Sequence, residues 1–287
     1  MFSLRKRADP APLNADLHCH STVSDGTLAP IELAQRAHAK GVQLWALTDH
    51  DELGGLKAAA ATAEALGLPF VAGVEISVSW SHETLHIVGL RIDPDNEVLR
   101  NGLEQTRSGR TRRAHAMAAQ LAQAGIPGAF EGALNYVGNP DLIGRTHFAR
   151  YIVEINRCDD VHEVFTKYLV AGKPGYVPMQ WATLAEAVGW IHAAGGVAVI
   201  AHPGRYKLRE AELRELFAEF KALGGEAIEV VTGSHSNDQF RRFAGFAKEY
   251  GFLASRGSDF HGPEESRFDL GTLPPLPDSV VPVWHDW

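Results

Sequence analysis

Histidines and carboxylates recur in this chain directly after short apolar runs, where a strand would end. His18 and His20 stand either side of Cys19, so in an extended segment both imidazoles project to the same side and can reach one cation. His50 follows the apolar run 42–47, Glu75 closes the run 69–76, His202 follows 197–201, and Asp259 and His261 follow 252–255. Each is ordinary by itself: His50 could cap a strand end, and Asp25 in Ser24-Asp25-Gly26 could simply hold a turn. Recurrence at strand ends is not expected of core or surface histidines. Glu75, in the apolar context Gly73-Val74-Glu75-Ile76, is costly to bury unless paired or metal-bound. With 14 His against 2 Cys, the chemistry indicated is a hydrolytic metal site of imidazole and carboxylate rather than a thiolate site.

Such residues need a frame that gathers strand ends, and alternating apolar runs and helical stretches supply one. The pattern predicts a strand over 14–18 and a helix capped by Thr27, with Pro30 in its first turn and Gly41 as its stop. Strands follow over 42–47 and 69–76 with a helix over 56–66 between them, then a hairpin pairing 76–80 with 85–92, His86 lying on its return strand. Residues 101–168 read as almost wholly helical. Beyond them come a helix over 183–194 and strands over 197–201, 227–231 and 252–255, and the Pro-rich end from 274 reads as an extended strap. The βα series is an α/β barrel whose ligands sit at the C-terminal ends of its strands. The barrel is expected over 1–100 and 171–287, interrupted by a helical insertion subdomain at 101–170.

Composition narrows the functional classes. Lys and Arg number 27 against 35 Asp and Glu, a formal charge of −8, which argues against a dedicated binder of long duplex nucleic acid. Cys19 and Cys158 lie in unrelated contexts, so neither a disulfide framework nor a Cys-rich zinc ribbon is expected, and a reducing compartment is the default. The basic start, Met1 to Arg7, meets Ala8-Asp9-Pro10 rather than an apolar segment and does not read as a signal peptide. No apolar run approaches a membrane span. A cytoplasmic protein is expected.

The motifs Asp16-Leu17-His18-Cys19-His20-Ser21, Thr48-Asp49-His50-Asp51, Gly73-Val74-Glu75, Ala201-His202-Pro203 and Ser258-Asp259-Phe260-His261 occur in the order of the polymerase and histidinol phosphatase (PHP) superfamily, which the chain resembles over most of its length. The resemblance implies a distorted (β/α)7 barrel and two or three divalent metals. His18, His20, Glu75 and Asp259 would hold the first, the bridging Glu75 with His86 and His202 the second, and Asp25, His50 and His261 the third. Several relatives, including histidinol phosphate phosphatases, have histidine where this chain has Asp25, which favours harder cations at the third site. Mn is the expected metal, with Fe or Zn compatible with the same donors; Cys19 should face away from them.

Two divalent cations against Glu75 and Asp259 leave the inner site with a charge of about +2, so it should attract phosphate and present a metal-bound hydroxide to it. Arg145, Lys173 and Arg205 are candidate anchors for the rest of the substrate, since a guanidinium forks onto phosphate; the competing reading, strongest for Lys173, is an exposed surface cation. Arg205 lies three residues from His202, close enough to take part in the reaction. His235 could bind substrate and give a proton to the leaving oxygen, although Ser234-His235-Ser236 is also an ordinary helix entry. The Arg107–Arg113 run reads either as a solvated helix face or as a guide for an RNA tail. Among PHP proteins the likeness is greatest to stand-alone bacterial phosphoesterases, which implies a small phosphorylated nucleotide substrate and removal of the 3′-phosphate from nucleoside 3′,5′-bisphosphates. The alternatives are 5′-to-3′ exonucleolytic cleavage of short 5′-phosphorylated RNA and a non-catalytic metal-stabilised module. Sequence leaves base preference and oligomeric state open.

Overall fold

The computed structural model describes residues 12–287, so the basic N-terminal stretch lies outside the described residues. Seven strands form one sheet in chain order. They are β1 (Ala15–Asp16), β2 (Leu44–Leu47), β3 (Phe70–Trp80), β4 (Glu83–Leu90), β5 (Val197–Ile200), β6 (Ala227–Thr232) and β7 (Leu253–Gly257). Parallel pairing joins β1 to β2 to β3 and β5 to β6 to β7, while β4 runs antiparallel to both its neighbours. The sheet curls until its last strand meets its first: Leu17 N–H donates to Arg256 O at 3.0 Å and Asp259 N–H to His18 O at 2.8 Å. Gly257 is required there, because a Cβ at that position would lie 2.3 Å from Cβ of His18.

The crossover helices are α1 (Pro30–Ala39), α2 (Leu56–Leu66), α8 (Leu184–Ala193), α9 (Glu210–Ala222) and α10 (Asn237–Tyr250). Between β4 and α8 lie α3 (Glu97–Ser108), α4 (Arg110–Gln123), α5 (Ala129–Leu134), α6 (Arg145–Glu154) and α7 (Val161–Val164). The inner faces of α1, α2, α8, α9 and α10 pack Leu33, Ala59, Ile191, Phe217 and Phe243 into one large cluster with strand residues such as Trp45 and Ile76. Leu99 and Leu103 of α3 join that same cluster, so a boundary at residue 101 falls inside a helix packed on the barrel. A second cluster, including Met117, Leu121, Phe148, Ile152 and Leu169, belongs to the helical stretch alone. Each apolar set has its own interior, as two packed units need.

Three local readings change. Thr27 does not cap α1: its hydroxyl bonds His261 O, and Ala29 is the N-cap, its N–H held by Glu32 at 2.8 Å. The strand ending at Glu75 and the first arm of the hairpin are one strand of 11 residues, because Glu75 stays paired opposite Val88 and the ladder continues to Trp80. The C-terminal strap is more than a surface cover: Ala254 pairs with it through Val281 O at 2.8 Å and the Val283 N–H at 2.9 Å, and Val283 is buried against Ala15, Leu17 and Val199. Among the described residues, no helix is long and apolar enough to cross a membrane.

Candidate metal centre

The parallel strands deliver their C-terminal ends to one rim, and β4, running the other way, brings His86 to it near its start. His202 and Asp259 follow β5 and β7 with positive φ angles of 28° and 55°, and Asp51 beyond β2 has one of 51°. Such left-handed conformations are uncommon outside glycine and turn the chain sharply at the site. Further bonds fasten the loops: Asp49 accepts from Ser21 N–H at 2.7 Å and Ser24 Oγ at 2.6 Å, and Asp51 accepts from Ser77 N–H at 2.8 Å.

All nine side chains expected to bind metal converge here. Glu75, fully buried, has Oε1 3.3 Å from His18 Nε2, 3.0 Å from His86 Nδ1 and 3.1 Å from His202 Nε2. Its Oε2 lies 3.2 Å from His20 Nε2 and 2.9 Å from His50 Nδ1. Asp259 Oδ1 is 3.5 Å from His18 Nε2 and 3.4 Å from His20 Nε2. Asp25 Oδ1 is 3.8 Å from both His20 Nδ1 and His50 Nε2 and 3.4 Å from His261 Nε2. Donor atoms close enough to share a cation fall into four overlapping groups: His20, Asp25, His50 and His261; His18, Glu75 and His202; His18, His20 and Asp259; and His50, Glu75 and His86.

These residues fit divalent cations on their own chemistry. Buried polar atoms without a hydrogen-bond partner include His20 Nδ1, Asp25 Oδ1, His50 Nδ1, Glu75 Oε2, His86 Nδ1 and His202 Nδ1, a concentration a folded protein does not sustain without a ligand. The two Nε2 atoms of His18 and His20 face each other at 3.1 Å, an arrangement a shared cation satisfies. Cys19 is turned away, its thiol receiving the Trp45 indole N–H at 3.2 Å, so the donors are nitrogen and oxygen only.

Charge states suit the same purpose. Burial alone would raise the Glu75 carboxyl, but His86, His50 and His18 hold it well below the usual range; burial likewise opposes ionisation of Asp25, and His50 and His261 outweigh it. Burial, with Arg205 nearby, lowers His202 to about 3, leaving the neutral imidazole that a metal requires. Burial would also lower His18, yet Glu75 and Glu229 drive it well up.

Glu229 is the residue the sequence reading missed. Buried in β6, it accepts from the His202 N–H at 2.6 Å and lies 2.9 Å from His18 Nδ1, orienting the ring whose Nε2 faces the site. Its signal was the one that exposed Glu75, a carboxylate in an apolar strand. The Arg107–Arg113 run is not simply a solvated helix face. Arg107 donates to Asp51 O at 2.6 Å, buried Arg110 pairs with Asp51, and Arg113 donates Nε–H to Val177 O at 2.8 Å, leaving Arg112 exposed. Arg110, Arg113, Arg145 and Arg205 all line the cavity above the nine side chains, with Thr146, Phe165 and Trp181.

Two expected substrate contacts are not brought there. Lys173 is exposed and does not line the cavity. His235 is 1% exposed and stacked on Phe243; Nε2 accepts from the Gly204 N–H at 2.9 Å and Nδ1 faces Val230 O at 3.2 Å. Both nitrogens are engaged by backbone, so His235 supports the Gly204-Arg205 turn instead of serving as a proton donor or substrate contact. Arg205 is half exposed and holds Asp259 Oδ2 at 2.9 Å.

A PHP domain model matches residues 16–233. The chain is 52% identical over 273 residues to a 3′,5′-nucleoside bisphosphate phosphatase of Chromobacterium violaceum, covering 95% of this chain and 96% of that one. It is 41% identical over 270 residues to a 5′-3′ exoribonuclease of Haemophilus influenzae, covering 94% and 97%. The structure of an amidohydrolase from Chromobacterium violaceum with bound sulfate and no metal superposes with a TM-score of 0.93 at 52% identity, covering 95% of each chain. The chain therefore belongs to the PHP family. It is a metal-dependent phosphoesterase built on that family's seven-stranded barrel.

Glu229→Gln should weaken divalent-metal binding about 10- to 100-fold, the usual cost of losing an outer carboxylate on a ligating imidazole; chelator competition measures it, and unchanged affinity would contradict the orienting role. A second expectation concerns pH. Burial lowers His147 and His235 to about 4 each, so between about pH 6.5 and pH 4 the unfolded chain binds protons that the folded one refuses, and their contribution to stability falls as pH falls through that window. For His235 alone the loss from about pH 7 to pH 5 is about 2 kcal/mol. Denaturant titrations of the metal-free protein should therefore give a shallower pH dependence for His235→Gln; parallel curves would refute the buried neutral imidazole.

Proposed function

We propose that the protein removes the 3′-phosphate of nucleoside 3′,5′-bisphosphates, releasing a nucleoside 5′-monophosphate and phosphate. The observation that carries this reading is a single cavity with two ends suited to phosphate, a cation-binding floor of nine convergent imidazole and carboxylate side chains and a roof of arginines. A doubly phosphorylated small molecule matches both ends at once. The relative named as a bisphosphate phosphatase, similar over nearly the whole chain, adds support.

In this reading His18, His20, Glu75 and Asp259 would hold one cation, Glu75 with His86 and His202 a second, and Asp25, His50 and His261 a third, with Mn best suited to the donors. When bound, such metals supply an acidic water and neutralise charge on the phosphate oxygens. Water adds to phosphorus, the bond to the 3′-oxygen breaks, and that oxygen leaves with a proton. Glu75, held ionised by the five imidazoles around it, would be the ligand shared between neighbouring cations. Arg205 orients Asp259 through their 2.9 Å contact and, half exposed at the cavity edge, is available to a phosphate oxygen. Arg145 holds the far end of the substrate. The complete donor set favours an enzyme over a non-catalytic module, and the similarity to an exoribonuclease keeps short 5′-phosphorylated RNA as the second substrate to test.

Incubating Mn-loaded protein with equal amounts of adenosine 3′,5′-bisphosphate and a 5′-phosphorylated short RNA tests the proposal by product analysis. Rapid release of phosphate and adenosine 5′-monophosphate with intact RNA is expected; a ladder of mononucleotides beside untouched bisphosphate would overturn it. Asp259→Ala should abolish turnover, whereas Arg205→Ala should mainly raise KM, by about tenfold for one lost charge-assisted contact.

A further inference from the structure

Strands β4 and β5 carry His86 and His202 to the rim, and the ladder between them changes just before it arrives. Ile87 pairs with Ile200 and Val88 with Val199, a register that puts His86 opposite Ala201 as the next pair. A hydrogen-bonded antiparallel pair exchanges two N–H···O bonds. One of these is direct, Ala201 N–H donating to His86 O at 3.0 Å. The other is relayed by a side chain: the His86 N–H donates to the Tyr206 hydroxyl at 2.9 Å, and that hydroxyl donates to Ala201 O at 2.8 Å.

The chain places the phenol there by reversing at once. His202 has a φ of 28°, and the turn Pro203–Arg205 is closed by the Arg205 N–H on His202 O at 2.9 Å, which brings Tyr206 back over the end of the strand the chain has just left. Its ring meets the His202 ring edge-on with 5.6 Å between centroids, and His202 meets His86 in the same manner at 5.3 Å. His86 Nδ1 and His202 Nε2 then lie 3.0 and 3.1 Å from one oxygen, Oε1 of Glu75. A phenylalanine would pack the same ring, so the relay is the work of the hydroxyl.

We propose that Tyr206 is a positioning residue of the metal centre: its hydroxyl, inserted between β4 and β5, sets the spacing of His86 and His202 and so the affinity of the cation site they form with Glu75. The proposal rests on the ligand assignment made for the proposed function. A relayed bond spans a wider gap than a direct one. Without the hydroxyl, either the strands draw together at His86 and Ala201 to close the ladder, or an N–H and a carbonyl lose their partner. Each outcome moves the two imidazoles relative to each other, and a metal site tolerates little displacement of its donors.

Calorimetric titration of the chelator-stripped protein with Mn tests this in the unaltered chain, His86→Ala, Tyr206→Phe and Tyr250→Phe. The His86→Ala titration identifies the cation that this site takes. Tyr206→Phe keeps the ring against His202, so the fold survives, which circular dichroism of the metal-free protein checks. It should bind that same cation about tenfold or more weakly, the usual cost of losing a group that orients a ligand, and the remaining cations as before. Tyr250→Phe, whose hydroxyl faces Arg214 O on the outer helices, should match the unaltered chain. Unchanged Mn binding in Tyr206→Phe overturns the proposal, and so does a uniform weakening of every cation or an equal loss in Tyr250→Phe, since either is an effect on general stability. If the unaltered chain binds no Mn, or His86→Ala binds as the unaltered chain does, the ligand assignment itself fails and the positioning role falls with it.

Discussion

A single buried carboxylate sets the terms for this fold. Glu75 has no solvent exposure and stands within 3.3 Å of imidazole nitrogens from His18, His20, His50, His86 and His202. An isolated ionised carboxylate at such a position is prohibitively costly, so the chain must surround it with groups that favour its charge. Four different strands and their following loops contribute those imidazoles. Antiparallel β4 is part of the solution, since it adds His86 from a direction that no parallel crossover supplies.

The surroundings of the centre follow from the same constraint. Imidazoles aimed at one point need their other nitrogens or backbones fixed, and Glu229 does this for both His18 and His202. The insertion takes part as well. Arg150 of α6 donates to Asp25 O at 2.6 Å and pairs with Glu265 at 2.8 Å, while Thr146 Oγ1 reaches Asp25 Oδ2 at 3.2 Å. The helical unit with its own apolar interior is thus fastened to the turn carrying Asp25 as well as roofing the cavity.

Strand-end position made most of the centre legible in the sequence, because the barrel turns a one-dimensional recurrence into a ring of convergent side chains. The same logic failed at His235, which also follows a strand, because Phe243 and the Gly204 turn enclose it and position along the chain carries no information about that enclosure. Glu229 was readable in principle from its apolar neighbours. Arg110 and Arg113 were not: helical spacing separates faces, but only the tertiary partners Asp51, Val177 and Trp181 decide which face meets the cavity. Strand β3 was divided at Glu75 because the change from a buried to an alternating pattern resembles a break, although hydrogen bonding continues through it.

The central claim is that Glu75 and the imidazoles around it are arranged to hold several divalent cations together. Elemental analysis of the purified, dialysed protein beside Glu75→Gln tests it directly, with circular dichroism to compare their folds. The account expects more than one equivalent of divalent metal per chain in the unaltered protein and loss of most of it in a folded Glu75→Gln. A variant that keeps the full metal content would contradict the account.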